Sequence, residues 1–231
     1  MLESLLRTLT QELVNVMEEK YGKFWWPADF YPDLSKEPFK SLVLTVLSQN
    51  TSEINCIRAY KGLAAKFEVS PEALAKADLD GLKEAIRSGG LYNIKAKRIK
   101  DLAKAVIEKF GGNVASILDL PKEKAKEKLM ELPGIGPKTA DVLLTDRYSY
   151  REILPVDTHY DRIAKRLGLV KSDASYNEIQ KALMSFVPRG NERASGLLWL
   201  LAKYTCRAQN PKCHECPIIG LCDYENKTVK R

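Results

Sequence analysis

The chain has 231 residues, 45% of them hydrophobic, so it can bury one large core or two modest ones. Lys and Arg number 37 against 30 Asp and Glu, and the resulting net charge of +7 favours a polyanionic partner. No stretch approaches the roughly 20 apolar residues that a membrane-spanning helix requires, which argues against an integral membrane protein.

Residues 1–22 carry apolar side chains at helical spacing with acidic residues between them, which predicts an amphipathic helix and not a signal peptide. Residues 41–49 have the composition of a short strand, but they run without a break into the helix-like residues 51–67. We therefore expect a helix that ends or bends near residues 48–51. Cys56, which follows this bend, is expected to be an ordinary buried thiol.

Helical patterns separated by turns with Gly or Pro continue through the middle of the chain. They predict helices over residues 71–87, 93–110, 122–131 and 137–147. Helix start signals stand at Ser70 and Ser175, and helix stop signals stand at Gly111, Gly112 and Gly168. The sequence therefore predicts an all-α fold of about ten helices.

The segment LPGIGPKTA, residues 132–140, joins two of these helices through Gly134 and Gly136. Two glycines at this spacing permit a tight turn whose backbone N–H groups face one side, and the start of the next helix attracts anions such as a DNA phosphate. A plain turn between helices, with glycines needed only for their dihedral freedom, would show the same G-x-G pattern. The flanking residues that make the segment resemble a helix-hairpin-helix DNA-binding motif are Leu132, Pro133, Ile135 and Ala140.

Two residues near this turn have the chemistry of a catalytic pair. Lys138 is the second residue past Gly136, and a neutral lysine amine can attack a sugar C1′ and form a Schiff base. The alternative is a lysine that only contacts phosphate. Asp157 stands directly ahead of a helical pattern, where Asp is a good N-cap. A carboxylate in that place can also stabilise positive charge that develops on a sugar during glycosidic cleavage.

Four of the five cysteines are close together near the C-terminus: Cys206, Cys213, Cys216 and Cys222. Nothing in the sequence suggests secretion, so a metal site is favoured over a disulfide framework. Four thiolates satisfy tetrahedral Zn²⁺, although zinc sites often pair two Cys-x2-Cys knuckles and this segment has one. The wide, uneven spacing favours a [4Fe–4S] cluster, but the spacing alone leaves both metals open.

Taken in order, G-x-G-x-K, V-D-T-H and the cysteine segment resemble the endonuclease III family of DNA glycosylases. The resemblance implies two all-α domains on either side of a DNA-binding cleft. The first would be a six-helix barrel with the helix-hairpin-helix over residues 37–149. The second would be a [4Fe–4S] cluster domain made from residues 1–36 and 150–231.

The resemblance also implies an activity. The chain would be a monomeric base-excision-repair DNA glycosylase with AP lyase activity, acting on damaged, oxidised pyrimidines and on abasic sites in double-stranded DNA. Lys138 and Asp157 match the catalytic residues of the family, and the four cysteines match its cluster ligands. We expect such a protein in the cytoplasm of a prokaryote, at the nucleoid.

Enzymes of this kind flip the target nucleotide out of the stack and fill the hole that it leaves. Residues 48–53 match the loop that supplies a polar filler, with Asn50 as the first candidate and Gln49 as the second. Residues 89–99 match the segment with an apolar wedge, so Leu91 is the candidate for insertion, with a core leucine as the alternative.

Basic residues follow the wedge and also surround the cysteines. On one helix the basic run cannot all face one way, so we expect phosphate contacts from a few of its members and solvent exposure for the rest. The members of this run are Lys95, Lys97, Arg98, Lys100 and Lys104. On the cysteine loop we expect DNA contacts from Lys212 together with Arg207 and His214.

The paired Trp25 and Trp26 depart from the common family pattern and are similar to relatives that excise alkylated purines. They leave a monofunctional glycosylase for alkylated or mismatched bases as the alternative function. We expect both tryptophans to pack between the domains, with a base-binding role second. Lys138 and the four cysteines favour the lyase, because relatives of these other kinds commonly lack one or the other.

Overall fold

The computed structural model describes residues 8–25, 37–145, 152–188 and 191–228. These residues form α-helices, short 3₁₀ turns and loops, with no strand among them, so the all-α prediction is confirmed. Twelve α-helices lie in the described ranges, where the sequence predicted about ten. None of them combines the length and apolarity that crossing a bilayer requires.

The helices pack as two compact units. The first, which we call the hairpin unit, contains the described residues within Ala28–Arg147. The second, the cysteine unit, contains the described residues within Met1–Pro27 and Tyr148–Arg231.

The hairpin unit is built around its longest helix. Its helices are α2 (Pro38–Ser48), α3 (Glu53–Lys66), α4 (Pro71–Lys76), α5 (Leu79–Ala85), α6 (Tyr92–Phe110), α7 (Ala115–Leu118), α8 (Lys122–Met130) and α9 (Pro137–Leu144). Helix α6 packs against α2, α4 and α5, and α9 packs against α2 and α8. The buried stripe of α6, which includes Ile99, Leu102 and Val106, is fully inaccessible to solvent and recurs at the helical period.

The cysteine unit packs the N-terminal helix against the C-terminal ones. It contains α1 (Gln11–Tyr21), α10 (Thr158–Arg166), α11 (Tyr176–Phe186) and α12 (Glu192–Tyr204). Helix α12 lies between α1 and α10, and α10 also contacts α11. Met17, Leu183 and Leu197 are completely buried in the core that these helices share.

Most of the predicted helix ends are confirmed. Ser70 accepts a hydrogen bond from the Ala73 N–H at the start of α4, and Ser175 forms the predicted capping box with Glu178. Helix α6 ends at the first of the two predicted glycines, Gly111, which has a φ of +59°. The expected bend near residues 48–51 is the loop between α2 and α3.

One predicted helix was wrong. Residues 71–87 form two short helices, α4 and α5, because Asp78 starts a new helix where the sequence pattern continued. Its carboxylate accepts a hydrogen bond of 2.6 Å from the Gly81 N–H, so Asp78 is an N-cap and not an interior helical residue. At the N-terminus the predicted helix begins at Gln11, with Thr10 as its cap, and residues 1–7 lie outside the described ranges.

Candidate functional site

The hairpin between α8 and α9 has the geometry that its glycines predicted. Gly134 has a φ of +79°, and a Cβ at this position would lie 2.4 Å from the Cδ of Arg98, so any other residue would strain the backbone and displace the Arg98 side chain. Leu132 and Ile135 are 2% and 5% exposed and anchor the turn in the core. Helix α9 begins after Gly136, and within the described residues no side chain caps it. The start of α9 therefore presents backbone N–H groups and the positive end of the helix dipole to an anion.

An ion pair fixes the two helices of this hairpin. The carboxylate of Asp141 on α9 is 1% exposed, and the Lys126 ammonium on α8 lies 2.8 Å from it. Removing the partner of a buried carboxylate strongly destabilises the folded state. The pair therefore resists separation of α8 and α9. Lys138, the candidate nucleophile, is the second residue of α9 and is exposed to solvent.

Asp157 is held by three hydrogen bonds. Its Oδ1 accepts bonds of 2.9 and 3.0 Å from the backbone N–H groups of His159 and Tyr160, which confirms the predicted N-cap of α10. Its Oδ2 accepts a bond of 2.8 Å from the indole Nε1 of Trp199 on α12. The orientation of the carboxylate is therefore set by two different helices.

The backbone ahead of Asp157 is fixed by α11. The Val156 N–H donates to the hydroxyl of Tyr176 at 3.1 Å, and the Gln180 amide donates to the Leu154 carbonyl at 2.9 Å. An open pocket of about 330 Å³ borders this segment. Asp157, Thr158 and Tyr176 are among the residues that line it.

Trp199 is a residue of this site that the sequence did not reveal. Its ring lies 5.2 Å from the ring of His159, and the Lys203 ammonium lies over it at 4.8 Å from the ring centre. It comes 42 residues after Asp157, inside an apolar helix whose sequence predicts only core packing. Only the packing of α12 against α10 brings the two side chains together.

The two candidate insertion residues share an unusual backbone. Asn50 and Leu91 have φ values of +51° and +46°, in the left-handed region. This conformation costs a residue such as leucine roughly 1–2 kcal/mol, whereas asparagine adopts it more readily. Asn50 is exposed, and the Leu91 side chain is 52% exposed. This exposure excludes the alternative of a core leucine at residue 91.

Gln49, the second filler candidate, has its amide already engaged. It accepts a hydrogen bond of 2.6 Å from the Arg98 guanidinium and donates one of 3.2 Å to the Gly134 carbonyl. Gln49 therefore connects the loop after α2 to the hairpin. Of the two, Asn50 is the better placed to extend its side chain away from the protein, because it is exposed and Gln49 is held by two hydrogen bonds.

The basic run on α6 divides between core and surface, whereas we expected every member to contact phosphate or face solvent, so the expectation was wrong for Lys95. It is 2% exposed and cannot contact a phosphate, because it lies beside the buried stripe of the helix, four residues before Ile99. Lys97 and Lys104 are exposed, and Lys100 is half-buried with its ammonium on the Ala77 carbonyl. The position of Lys95 in the apolar repeat was the signal that pointed to burial.

The four cysteines of the C-terminal segment line one pocket, whose other lining residues include Arg166, Ile219 and Tyr224. Within the described part of the chain, no three His, Cys, Asp or Glu side chains converge on a position for a single ion. Burial, together with the neighbouring thiols, raises the pKa of Cys216 to about 11. A Cys216 thiolate would therefore need metal cations beside it to stay ionised, and an iron–sulfur cluster would supply them.

Two arginines of α10 hold this segment. The Arg166 guanidinium donates to the Cys206 Sγ at 3.4 Å and to the Arg207 carbonyl at 2.7 Å, and the ring of Tyr224 lies 4.4 Å from it. Arg162 donates to the Cys206 carbonyl at 2.9 Å. These bonds fix the backbone where the cysteine segment leaves α12.

The remaining candidates divide between surface and core. Arg207 and His214 are exposed, and Lys212 is half-buried, 3.8 Å from the Glu215 carboxylate. Trp25 packs against Gly196 of α12, inside the cysteine unit, where a Cβ on residue 196 would lie 2.3 Å from the indole. Trp26 lies outside the described residues.

Cys56 is a buried thiol, as the sequence predicted. It is completely buried in α3, and burial raises the pKa of its thiol to about 11. It therefore behaves as a small apolar side chain.

Comparison with known proteins places these features in a family. Residues 43–189 match the family described as HhH-GPD superfamily base excision DNA repair protein, and residues 206–222 match the iron–sulfur binding domain of endonuclease III. Endonuclease III of Bacillus subtilis is 36% identical over 195 residues, which is 84% of each chain. Endonuclease III of Thermotoga maritima is 36% identical over 197 residues, 84% of this chain and 86% of the relative.

A solved structure agrees with the sequence relatives. The trapped endonuclease III–DNA covalent intermediate, an estranged-adenine complex, has a TM-score of 0.72 to this chain at 30% identity. The match covers 94% of this chain and 97% of that one. The chain therefore belongs to the endonuclease III family, within the HhH-GPD superfamily of base excision DNA repair proteins.

Proposed function

We propose that this protein excises oxidised pyrimidines from duplex DNA and then cleaves the strand at the abasic site, with Lys138 as its nucleophile. The observation that carries the proposal is the exposed amine of Lys138 on the first turn of α9, directly after the hairpin turn. The solved relative is a covalent intermediate with DNA, and a covalent intermediate requires a nucleophile on the protein.

The proposed reaction begins when the neutral amine of Lys138 attacks C1′ of the flipped nucleotide. The C1′–N glycosidic bond breaks, and the base leaves with the bonding electron pair and takes up a proton. Ring opening gives a Schiff base between Lys138 and C1′. Loss of a C2′ proton then breaks the C3′–O bond, the 3′ phosphate leaves, and hydrolysis of the Schiff base restores the amine.

We assign to Asp157 the stabilisation of positive charge on the sugar as the base departs. Its carboxylate is fixed by the α10 N-terminus and by Trp199, so little reorganisation is needed when charge develops. The carboxylate is also the candidate to assist protonation of the departing base.

The same proposal assigns DNA binding to surface groups of both units. The backbone at Gly134 and Gly136 would bind a phosphate, Asn50 would fill the hole, and Leu91 would insert as the wedge, with Gln49 supporting the filler loop. Lys212 would contact the DNA backbone from the cysteine segment. When bound, the [4Fe–4S] cluster would cross-link that segment through Cys206, Cys213, Cys216 and Cys222.

We retain three sequence expectations as parts of this proposal. The barrel domain is residues 37–149, and the cluster domain is residues 1–36 with 150–231. The protein acts as a monomer, because one chain supplies every assigned residue. Its working site is the prokaryotic nucleoid, where its substrate lies.

A panel of single-lesion duplexes tests the proposed function, with base release and strand cleavage scored separately. The panel contains thymine glycol, dihydrouracil, an alkylated purine, a thymine mismatch and an abasic site. We expect release and cleavage on the first two and cleavage on the last. Lys138→Ala and Asp157→Asn should reduce release strongly, and the matched control Lys124→Ala, an exposed lysine of α8, should not. Release of alkylated or mismatched bases without strand cleavage would overturn the proposal.

A further inference from the structure

Lys95 is a buried cation for which the proposed reaction has no direct use. Its side chain is 2% exposed, on the part of α6 that faces the core of the hairpin unit. Burial lowers the pKa of its ammonium, which reflects the free-energy cost of removing a charge from water. A core position that required only volume would be filled better by leucine or methionine.

The ammonium of Lys95 joins the last turn of α2 to the 3₁₀ turn that precedes α6. It donates one hydrogen bond of 2.7 Å to the Leu47 carbonyl and another of 2.9 Å to the Gly89 carbonyl. Leu47 lies three residues before Asn50, the candidate filler, and Gly89 lies two residues before Leu91, the candidate wedge. One buried group therefore holds the backbone ahead of both insertion residues.

Both insertion residues have left-handed backbone, two or three residues after the carbonyl that Lys95 binds. Asn50 and Leu91 are two of the three non-glycine residues with positive φ in the described ranges. Strained backbone persists where the surrounding structure over-determines it, and it occurs often at functional sites. The bonds from Lys95 are such a constraint, and they act on the two loops together.

Arg98, nearly one turn further along α6, extends the connection. It bonds the Gln49 amide, which in turn bonds the Gly134 carbonyl of the hairpin. The same helix thus holds the filler loop, the wedge loop and the hairpin turn.

We propose that Lys95 is a positioning residue that couples the filler loop and the wedge loop, so that Asn50 and Leu91 enter the duplex as one unit. This inference rests on the proposed function, since it requires both residues to insert. Lys95 touches neither the DNA nor the reacting atoms. Its role is to make insertion by one loop depend on the position of the other.

The first test compares Lys95→Met with the control Lys109→Met. Lys109 lies on the same helix and also donates to a backbone carbonyl, that of Glu131, but to neither insertion loop. The probe is a duplex with 2-aminopurine opposite a tetrahydrofuran abasic analogue, which brightens when insertion unstacks it. At saturating protein we expect a smaller rise in fluorescence for Lys95→Met, and the wild-type rise for Lys109→Met.

The same variants should separate in single-turnover kinetics. Loss of two hydrogen bonds from a charged donor predicts release of thymine glycol about 10- to 100-fold slower in Lys95→Met. Lys95→Arg, which keeps a buried donor, should restore part of the loss. Wild-type fluorescence and rate in Lys95→Met would overturn the coupling.

If Lys95→Met does not fold, a double-mutant cycle tests whether the two loops are coupled, which the proposal requires. Asn50→Ala, Leu91→Ala and the double variant are compared in base release with Lys95 intact. Coupled loops predict that either single change costs nearly as much as both, whereas independent loops predict that the two fold-losses multiply. Multiplying losses overturn the coupling alone. Absence of base release by the wild-type protein across the lesion panel overturns the proposed function instead.

Discussion

Trp199→Phe tests whether the orientation of Asp157 matters for catalysis. The substitution keeps an aromatic ring in α12, but the ring is smaller and lacks the indole N–H that donates to Oδ2 at 2.8 Å. Asp157 retains its two backbone bonds at Oδ1, so α10 stays capped. The Asp157 carboxylate therefore loses the hydrogen bond that connects its Oδ2 to α12.

The expected size follows from the nature of this bond. A hydrogen bond to a charged group contributes about 1.5–3 kcal/mol. If most of this free energy stabilises the transition state, in which charge develops on the sugar, its loss slows base release by about 10- to 100-fold, since each 1.4 kcal/mol is about a factor of ten in rate. We expect KM for the damaged duplex to change little, because Asp157 would act after the nucleotide has flipped.

The assay is single-turnover release of thymine glycol, with thermal unfolding measured in parallel. The matched control is Tyr21→Phe, which removes a buried hydroxyl bonded to Thr205 at 2.7 Å in the same unit. Both variants should lose stability, by about 1–2 kcal/mol in Tyr21→Phe and somewhat more in Trp199→Phe, whose smaller ring also packs less well, but only Trp199→Phe should release base slowly. A release rate within about twofold of wild type in Trp199→Phe would show that the bond from Trp199 does not support catalysis by Asp157.

Three further predictions follow from single residues. Gly134→Ala should cost about 1–2 kcal/mol in unfolding free energy and weaken duplex binding in a gel-shift assay, because the new Cβ meets Arg98 at a positive φ. Leu91→Gly should slow base release but change the unfolding free energy by no more than about 1 kcal/mol, since relief of backbone strain offsets the loss of a half-exposed side chain. The buried control Leu102→Ala should cost about 2–5 kcal/mol in unfolding free energy. Cys56 should resist iodoacetamide at pH 8 in the native protein, because its pKa of about 11 keeps the thiol neutral, and mass mapping should find it modified only after unfolding. The stability that the raised pKa provides is complete below the ordinary thiol pKa and is lost as pH rises towards 11.

Features that depend on neighbours in sequence were predictable. The caps at Ser70, Ser175 and Asp157 involve N–H groups two or three residues away, so residue types at fixed spacing specify them. Gly134 was predictable for the same reason, because its positive φ is a local requirement. The break at Asp78 was missed because the apolar pattern continues through it, although Asp is a common N-cap.

Features that depend on packing were not predictable. The bond between Trp199 and Asp157 exists because α12 packs on α10, and no local pattern encodes that distance. Likewise, Lys95 joins the carbonyls of Leu47 and Gly89, which are 42 residues apart in sequence. The basic run suggested surface, and only the helical phase of Lys95 relative to Ile99 suggested burial.

The proposed function requires Lys138 to form a covalent bond to the sugar. Borohydride reduces a Schiff base to a stable amine, so the intermediate is trapped during turnover on a duplex with an abasic site and appears as a slow band on a denaturing gel. We predict an adduct with the wild-type protein and with Lys124→Ala, no adduct with Lys138→Ala, and peptide mapping of the sugar remnant to Lys138. Strand cleavage by wild-type protein without an adduct, or an undiminished adduct in Lys138→Ala, would contradict the account.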